Sequence, residues 1–226
     1  MEFDFDYRPS DSPRVELVWR SHSTGGGTFL STATSRTEMI ITRQQGTVQF
    51  SVRGPETQAS IAPVPEEAEF IGIQFKLGTF IPCLPIDRLV NNGINLPEAG
   101  SQTFWLHGSA WQLPDFDQVD TFVDRLERQG LLRHDPLVDA LIEGKLADRS
   151  ARSVQRHFRR ATGITHGTVI QIERAHQAAN LLRQGVPILD TVEQAGYYDQ
   201  PHLTRSLRHL FGQTPTQIAR DRAVTG

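Results

Sequence analysis

The chain has 226 residues, 38% of them hydrophobic and 22% charged, a composition that can bury the core of one large or two modest domains. A single cysteine, Cys83, excludes an internal disulfide or a thiol-built zinc site, and no apolar run approaches the roughly 20 residues of a membrane span, so the reading is a reduced, cytoplasmic protein. The net charge of −3 is unevenly spread: −5 over residues 1–115, −4 over 116–144 and +6 over 145–226, the footprint either of a segment that meets phosphates or of a solvated basic face.

The N-terminus, MEFDFDYRPSD, is acidic and lacks the basic-then-apolar pattern of a signal peptide. Residues 14 to 113 read as β structure. RVELVW, EMIITR, TVQFSV and EFIGIQF are short, rich in Val, Ile, Phe and Thr, and separated by Gly, Pro and Gln turn signals. Thr37 to Gly54 reads as a hairpin turning near Gln44-Gln45-Gly46. So many short strands suggest a small barrel or sandwich, whose later part is broken up by Pro82, Pro85, Pro97 and Pro114. After Pro114 the period changes. Phe116, Val119, Phe122, Val123 and Leu126 recur at helical spacing up to about Gly130, and their apolar stripe is expected to pack inside the helical half rather than pair with a second copy. The fold class expected is therefore α+β: a mainly β, barrel- or sandwich-like domain over 1–115, then an all-α domain over 116–226.

An internal repeat lies in the helical half. Residues 150–166 overlay residues 199–215 at an offset of 49. Ser150 matches Asp199 as a helix N-cap. Val154, Phe158 and Ala161 match Leu203, Leu207 and Leu210 as an inward apolar stripe. Gly163 matches Gly212 as a helix terminator, and Thr165 matches Thr214 as the cap of the next helix. Thr214 to Gln217 has the spacing of a capping box with Pro at the first helical position. On the opposite face Arg152, Gln155, Arg156 and Arg159 in the first copy align with Pro201, Thr204, Arg205 and Arg208 in the second. These side chains suit a major groove: Arg pairs bidentately with guanine, Gln with adenine, and Thr donates, accepts or touches a thymine methyl. Each copy is preceded by a short helix, Pro136 to about Glu143 and Pro187 to Ala195, the latter ended by Gly196. The first has a longer connection through Lys145 to Arg149. Helix, turn, helix is a DNA-reading motif. A connecting helix from about Thr168 to Gln184, lined inside by Ile172, Ala175, Ala179 and Leu182, would hold the two copies apart. A separation of about 34 Å would seat them in successive major grooves.

Over about residues 117 to 221 the chain resembles the AraC/XylS family of bacterial transcription regulators, through AGYYDQPHLTRSLRHLFGQTP (195–215) and SARSVQRHFRRATG (150–163). The resemblance implies base-facing roles for Arg152, Gln155, Arg156, Gln200, Thr204 and Arg205, and phosphate contacts for Arg159, Arg160 and Arg208. His166-Gly167 stands where the family often has Pro, and the first unit departs from the usual pattern in its early helices. The resemblance implies activation or repression of nearby genes, double-stranded DNA as partner and no enzymatic activity. It allows RNA polymerase as a second partner and leaves the oligomeric state open. It also implies an N-terminal β domain that senses a small molecule or dimerises. Tyr7 to Ser10 with Val15 to Trp19 resembles the start of a sensor domain of some members.

Trp19, Phe75, Trp105, His107 and Trp111 could line a pocket, although core positions are more frequent for such residues. A metal centre in the β domain would need clustered ligands, and His22 and His107 stand 85 positions apart. Pro82-Cys83 resembles the Pro-Cys of DNA alkyltransferases but is followed by Leu84-Pro85, which lacks the partner residues. A thiol-responsive Cys83 and a protein-interaction role for the helical half remain as alternatives. No cofactor motif is present: Gly25-Gly26-Gly27 is followed by no helix start.

Overall fold

The computed structural model describes residues 3–145 and 151–221. The strands of the N-terminal half are β1 (Phe3–Arg8), β2 (Val15–Ser23), β3 (Gly27–Ser31), β4 (Glu38–Gln44), β5 (Thr47–Arg53), β6 (Ser60–Val64), β7 (Ala68–Phe75) and β8 (Thr79–Phe80). A short helix α1 (Ile86–Leu89) leads to β9 (Gly93–Leu96), β10 (Glu98–Gly100), β11 (Thr103–Leu106) and β12 (Ser109–Gln112). A 3-10 turn at Phe116–Gln118 opens α2 (Val119–Arg128), followed by β13 (Arg133–His134). The rest is helical: α3 (Pro136–Ile142), α4 (Ala151–Thr162), α5 (His166–Arg183), α6 (Ile188–Gln194), α7 (Gln200–Phe211) and α8 (Pro215–Asp221). The mainly β region followed by a helical region is the expected fold class.

Contacts group the chain into two compact units that interleave along the sequence. One comprises Met1–Thr28, Arg36–Pro55 and Pro63–Thr165; the other comprises Phe29–Ser35, Glu56–Ala62 and His166–Gly226.

The first unit is built on a six-stranded antiparallel sheet in the order β1-β2-β7-β4-β5-β9, with β10-β11-β12 as a second sheet. Alternation drives it: Met39 and Ile41 on β4, and Phe50 and Val52 on β5, turn inward while their neighbours stay half-buried or exposed. Ile41 pairs with Phe50 and Ile71, so the register aligns three inward side chains across three strands. The β4–β5 hairpin turns through Gln45 and Gly46, both with positive φ (48° and 78°), the conformation a two-residue turn needs to match strand twist. Phe50 and Phe104 rings lie 4.2 Å apart, bridging the two sheets. On β7, Gly72 has no substitute: a Cβ there would lie 1.9 Å from Trp19 Cε2. The indole crosses the strand at that point and its Nε1 donates to Glu38 Oε1 at 2.5 Å.

Helix α2 forms with the expected stripe, but its partner differs from the expectation. Val119, Phe122, Val123 and Leu126 join the same core as the strands, with Phe122 edge-on to Phe50, Phe104 and Trp111. The stripe completes the β core, where the two sheets leave an aromatic floor for it, and does not pack inside the helical half as expected. Polar ties hold it there. Arg8 donates to Asp120 Oδ2 and to the Phe116 carbonyl, both at 2.7 Å, and Arg14 Nε donates to Glu127 Oε1 at 2.7 Å. The Ser10 hydroxyl donates to the other Asp120 oxygen. Strand β1, absent from the β region expected at 14–113, supplies Arg8.

In the second unit α5 buries Val169, Ile172, Ala175, Ala178, Ala179 and Leu182, the face expected from periodicity. Its alanines let α6, α7 and α8 approach closely, and Leu203, Leu207, Leu210, Phe211 and Ile218 fill the space between.

Candidate nucleic-acid interface

Helices α4 and α7 each have an apolar back, and a capped turn sets the start of α7. In the first unit, Asp135 caps α3 by accepting from the Leu137 N–H at 3.0 Å, with Pro136 in the first turn. Helix α4 then buries Phe158 and Ala161 and half-buries Val154, so the expected stripe is where its spacing puts it. Its other side exposes Arg152, Gln155, Arg156, Arg159 and Arg160. The expected cap Ser150 and the connection 146–149 lie outside the described residues.

Arg156, Arg159 and Arg160 share the wall of a groove of about 710 Å³ with Arg133, over a floor that includes Phe80, Ile81, Leu84 and Ile86. Among the described residues none of these four guanidiniums forms an ion pair. Arg133 is not among the residues expected from the sequence. Its place two positions before the Asp135 cap is the available signal.

In the second unit α6 ends at Ala195, and Gly196 (φ 69°) turns the chain. Tyr197 is buried, its hydroxyl 3.0 Å from Ser206 Oγ and its ring beneath the Arg174 guanidinium. Burial pushes the Tyr197 hydroxyl up, against the smaller downward pull of Ser206 and Arg174, so it stays a neutral phenol that ties the turn to α7. Asp199 caps α7 by accepting from the His202 N–H at 2.7 Å. Leu203, Leu207 and Leu210 point inward. Gln200, Arg205 and Arg208 are exposed and Thr204 is half-buried beside them. Gly212 ends the helix at φ 67°, a left-handed position where a side chain is strained. The capping box of α8 forms as its spacing requires: the Thr214 N–H donates to Gln217 Oε1 at 2.8 Å, and the Gln217 N–H donates to Thr214 Oγ1 at 3.3 Å. Tyr198, 91% exposed on the turn before the Asp199 cap, is a second residue that sequence reasoning missed.

The nine expected contact residues thus fall on two helices, five on α4 and four on α7, one helix in each compact unit. The residues weighed for a pocket do not converge. Phe75 and Trp111 are core, Trp19 lies across Gly72, Trp105 is 45% exposed, and His107 sits exposed in the β11–β12 turn at φ 50°. His22 is exposed as well, and among the described residues no three His, Cys, Asp or Glu gather as a metal site. Cys83 is half-buried against the first unit's core. Burial pushes its thiol up, outweighing a backbone hydrogen bond, which leaves less of the reactive thiolate at neutral pH. No described helix is long and apolar enough to cross a membrane.

Two helices with apolar backs and Arg/Gln/Thr fronts, each preceded by a short helix, define a tandem helix-turn-helix protein. Residues 145–221 match the family model described as a helix-turn-helix domain, and this segment is a DNA-binding helix-turn-helix domain of the AraC type, the module of transcription regulators. No curated protein matches the chain. Solved structures of ToxT from Vibrio cholerae are similar along its length. Wild-type ToxT with a bound unsaturated fatty acid is 8% identical, covering 94% of this chain and 97% of that one at a TM-score of 0.41. ToxT bound to (E)-4-(8-methylnaphthalen-1-yl)but-3-enoic acid is 10% identical, covering 96% and 99% at a TM-score of 0.43. ToxT from strain O395 is 8% identical, covering 95% and 96% at a TM-score of 0.42. Likeness of that degree carries no argument about a ligand of this chain.

Proposed function

We propose that this protein is a sequence-specific transcription regulator that reads two segments of double-stranded DNA, one through α4 and one through α7. The observation that carries the reading is the shared design of the two helices, each with buried apolar residues behind and an exposed Arg-rich front. Arg152, Gln155 and Arg156 on α4, and Gln200, Thr204 and Arg205 on α7, face base edges. Arg159, Arg160 and Arg208 hold phosphates and set register, and the exposed Arg133 and Tyr198 extend the backbone contacts. With α5 as spacer, the two helices enter successive major grooves about 34 Å apart on one face of the duplex. The +6 charge of residues 145–226 supplies the salt-dependent part of the affinity. The protein works in the cytoplasm, catalyses no reaction, and answers to a small-molecule effector or a partner at its N-terminal β region. RNA polymerase is the partner through which a bound regulator acts.

Selection of genomic fragments with purified full-length protein, at a stated near-physiological salt, tests the reading. Enrichment of one motif is the expected result. A protein that prefers no fragment over random DNA, with or without added cell metabolites, would instead be using its helical half as a protein-docking surface.

A further inference from the structure

The C-terminal end of α7 is finished by two segments from far upstream in the sequence. The last carbonyls of any helix have no partner within it. Here the Ala33 N–H donates to the Leu210 carbonyl at 2.7 Å and the Ala59 N–H donates to the His209 carbonyl at 2.9 Å. The Ala33 peptide also faces α5, where His176 Nε2–H donates to the Ala33 carbonyl at 2.7 Å, and the His176 ring stands edge-on to Phe211, 4.8 Å between centroids. Beside it the Ser35 hydroxyl donates to Glu173 Oε1 at 2.7 Å. Leu30 closes the end: a Cβ on Gly212 would lie 2.9 Å from its Cδ1. The two segments are clamped to each other by paired backbone bonds between Thr34 and Glu56, both 2.9 Å. Ala33 is fully buried and Ser35 nearly so, so these bonds form away from water, where an unmet carbonyl is costly.

We infer that residues 29–35 and 56–62 are the positioning element of the second reading helix: they fix where α7 ends and how it is held against α5, and so set its affinity for DNA. The inference rests on α7 being a reading helix. The two segments flank the β4–β5 hairpin directly, one entering β4 and the other leaving β5, so the central hairpin of the six-stranded sheet is covalently continuous with the clamp on α7. Ala33, Ala59 and His176 are positioning residues, touching the helix and not the DNA.

The test uses the full-length protein with His176→Leu, which leaves the Ala33 carbonyl without its donor, and His176→Gln, which keeps one. Amide hydrogen exchange is followed in α7 and in β4, β5 and β7. Affinity is measured for the duplex that selection with the wild-type protein enriches. The expected result for His176→Leu is exchange about tenfold faster at the end of α7, unchanged exchange in the sheet, and DNA affinity about tenfold lower, with most of both restored in His176→Gln. Faster exchange in every element alike would make His176 a general stability residue and overturn the inference, as would unchanged exchange in α7. If α7 exchange responds as expected while no duplex is ever enriched, the clamp is real and the DNA reading of α7 fails instead.

Discussion

Arg205 and Arg159 are both exposed arginines on helices of the same design, and the proposed function gives them different work, a base edge for Arg205 and a phosphate for Arg159. Arg205 sits in the middle of α7 beside Thr204, on the surface that follows the Asp199 cap, so Arg205→Ala should cost about 1–3 kcal/mol and relax the preference at one base position. Affinities for single-base variants of the selected duplex check this; an equal loss on every variant would make Arg205 a phosphate contact. Arg159 lies in the last turn of α4, next to the groove it shares with Arg133, and Arg159→Ala should weaken all duplexes alike and flatten the salt slope by about one unit. A slope left untouched takes Arg159 out of the interface. Seven of the nine expected contact residues are legible in the spacing, because helical periodicity separates a front from a back once the buried stripe is known; Arg160 and Gln200 enter only through the family resemblance. Tyr197 and Tyr198 are not separable in that way. They are adjacent in a turn, where no period applies, and only packing shows that Tyr197 is buried on Ser206 while its neighbour is 91% exposed.

Among elements, α2 shows what periodicity can and cannot supply. The spacing of Val119, Phe122, Val123 and Leu126 announces an apolar face, and the face exists. Spacing carries no information about what lies opposite, and the partner is the aromatic floor of the β domain. Strand β1 is readable in principle, since Phe3, Phe5 and Tyr7 alternate with charged residues, but an acidic terminus reads as composition before it reads as period 2. The tie between these two elements is pH-sensitive. Burial alone would raise Asp120, but the Ser10 hydroxyl and the Arg8 guanidinium together bring it below the usual carboxylate value. A carboxyl whose folded pKa is lowered contributes stability above its unfolded pKa of about 3.9 and loses it as the pH falls through the folded value. Asp120→Asn should therefore destabilise the first unit by roughly 1–3 kcal/mol at neutral pH and by progressively less in acid. Denaturant melts at pH 7 and pH 3 measure the difference; a constant deficit at both would mean the loss is steric. In the sheet, Gly72→Ala puts a methyl into the Trp19 indole and should cost at least about 1–3 kcal/mol, seen as an earlier thermal transition together with a shift in tryptophan emission.

At the scale of the whole molecule, the change from strand to helix after Pro114 is plain in the sequence, and the match of residues 145–221 to a helix-turn-helix domain agrees with the motifs read there. The interleaving of the two compact units is not legible. Residues 29–35 and 56–62 carry no period of their own, and their bonds to α7 are mostly backbone bonds, which any residue but proline can make. A fragment of residues 116–226 should suffer at both ends of that arrangement. It would lose the donors to the α7 carbonyls and would bare the α2 stripe that now completes the β core. Dye binding and self-association of that fragment, absent from the full-length chain at the same concentration, are the expected signs. A monomeric fragment that binds no dye would show that the helical half closes its own core.

The most direct test of two-helix reading is hydroxyl-radical footprinting of the selected duplex by the wild-type protein, by Arg156→Ala and by Arg205→Ala. The account predicts two protected patches about one helical turn apart, with each variant losing protection over one patch and keeping the other. A single patch, or two patches that fade together in both variants, would contradict it.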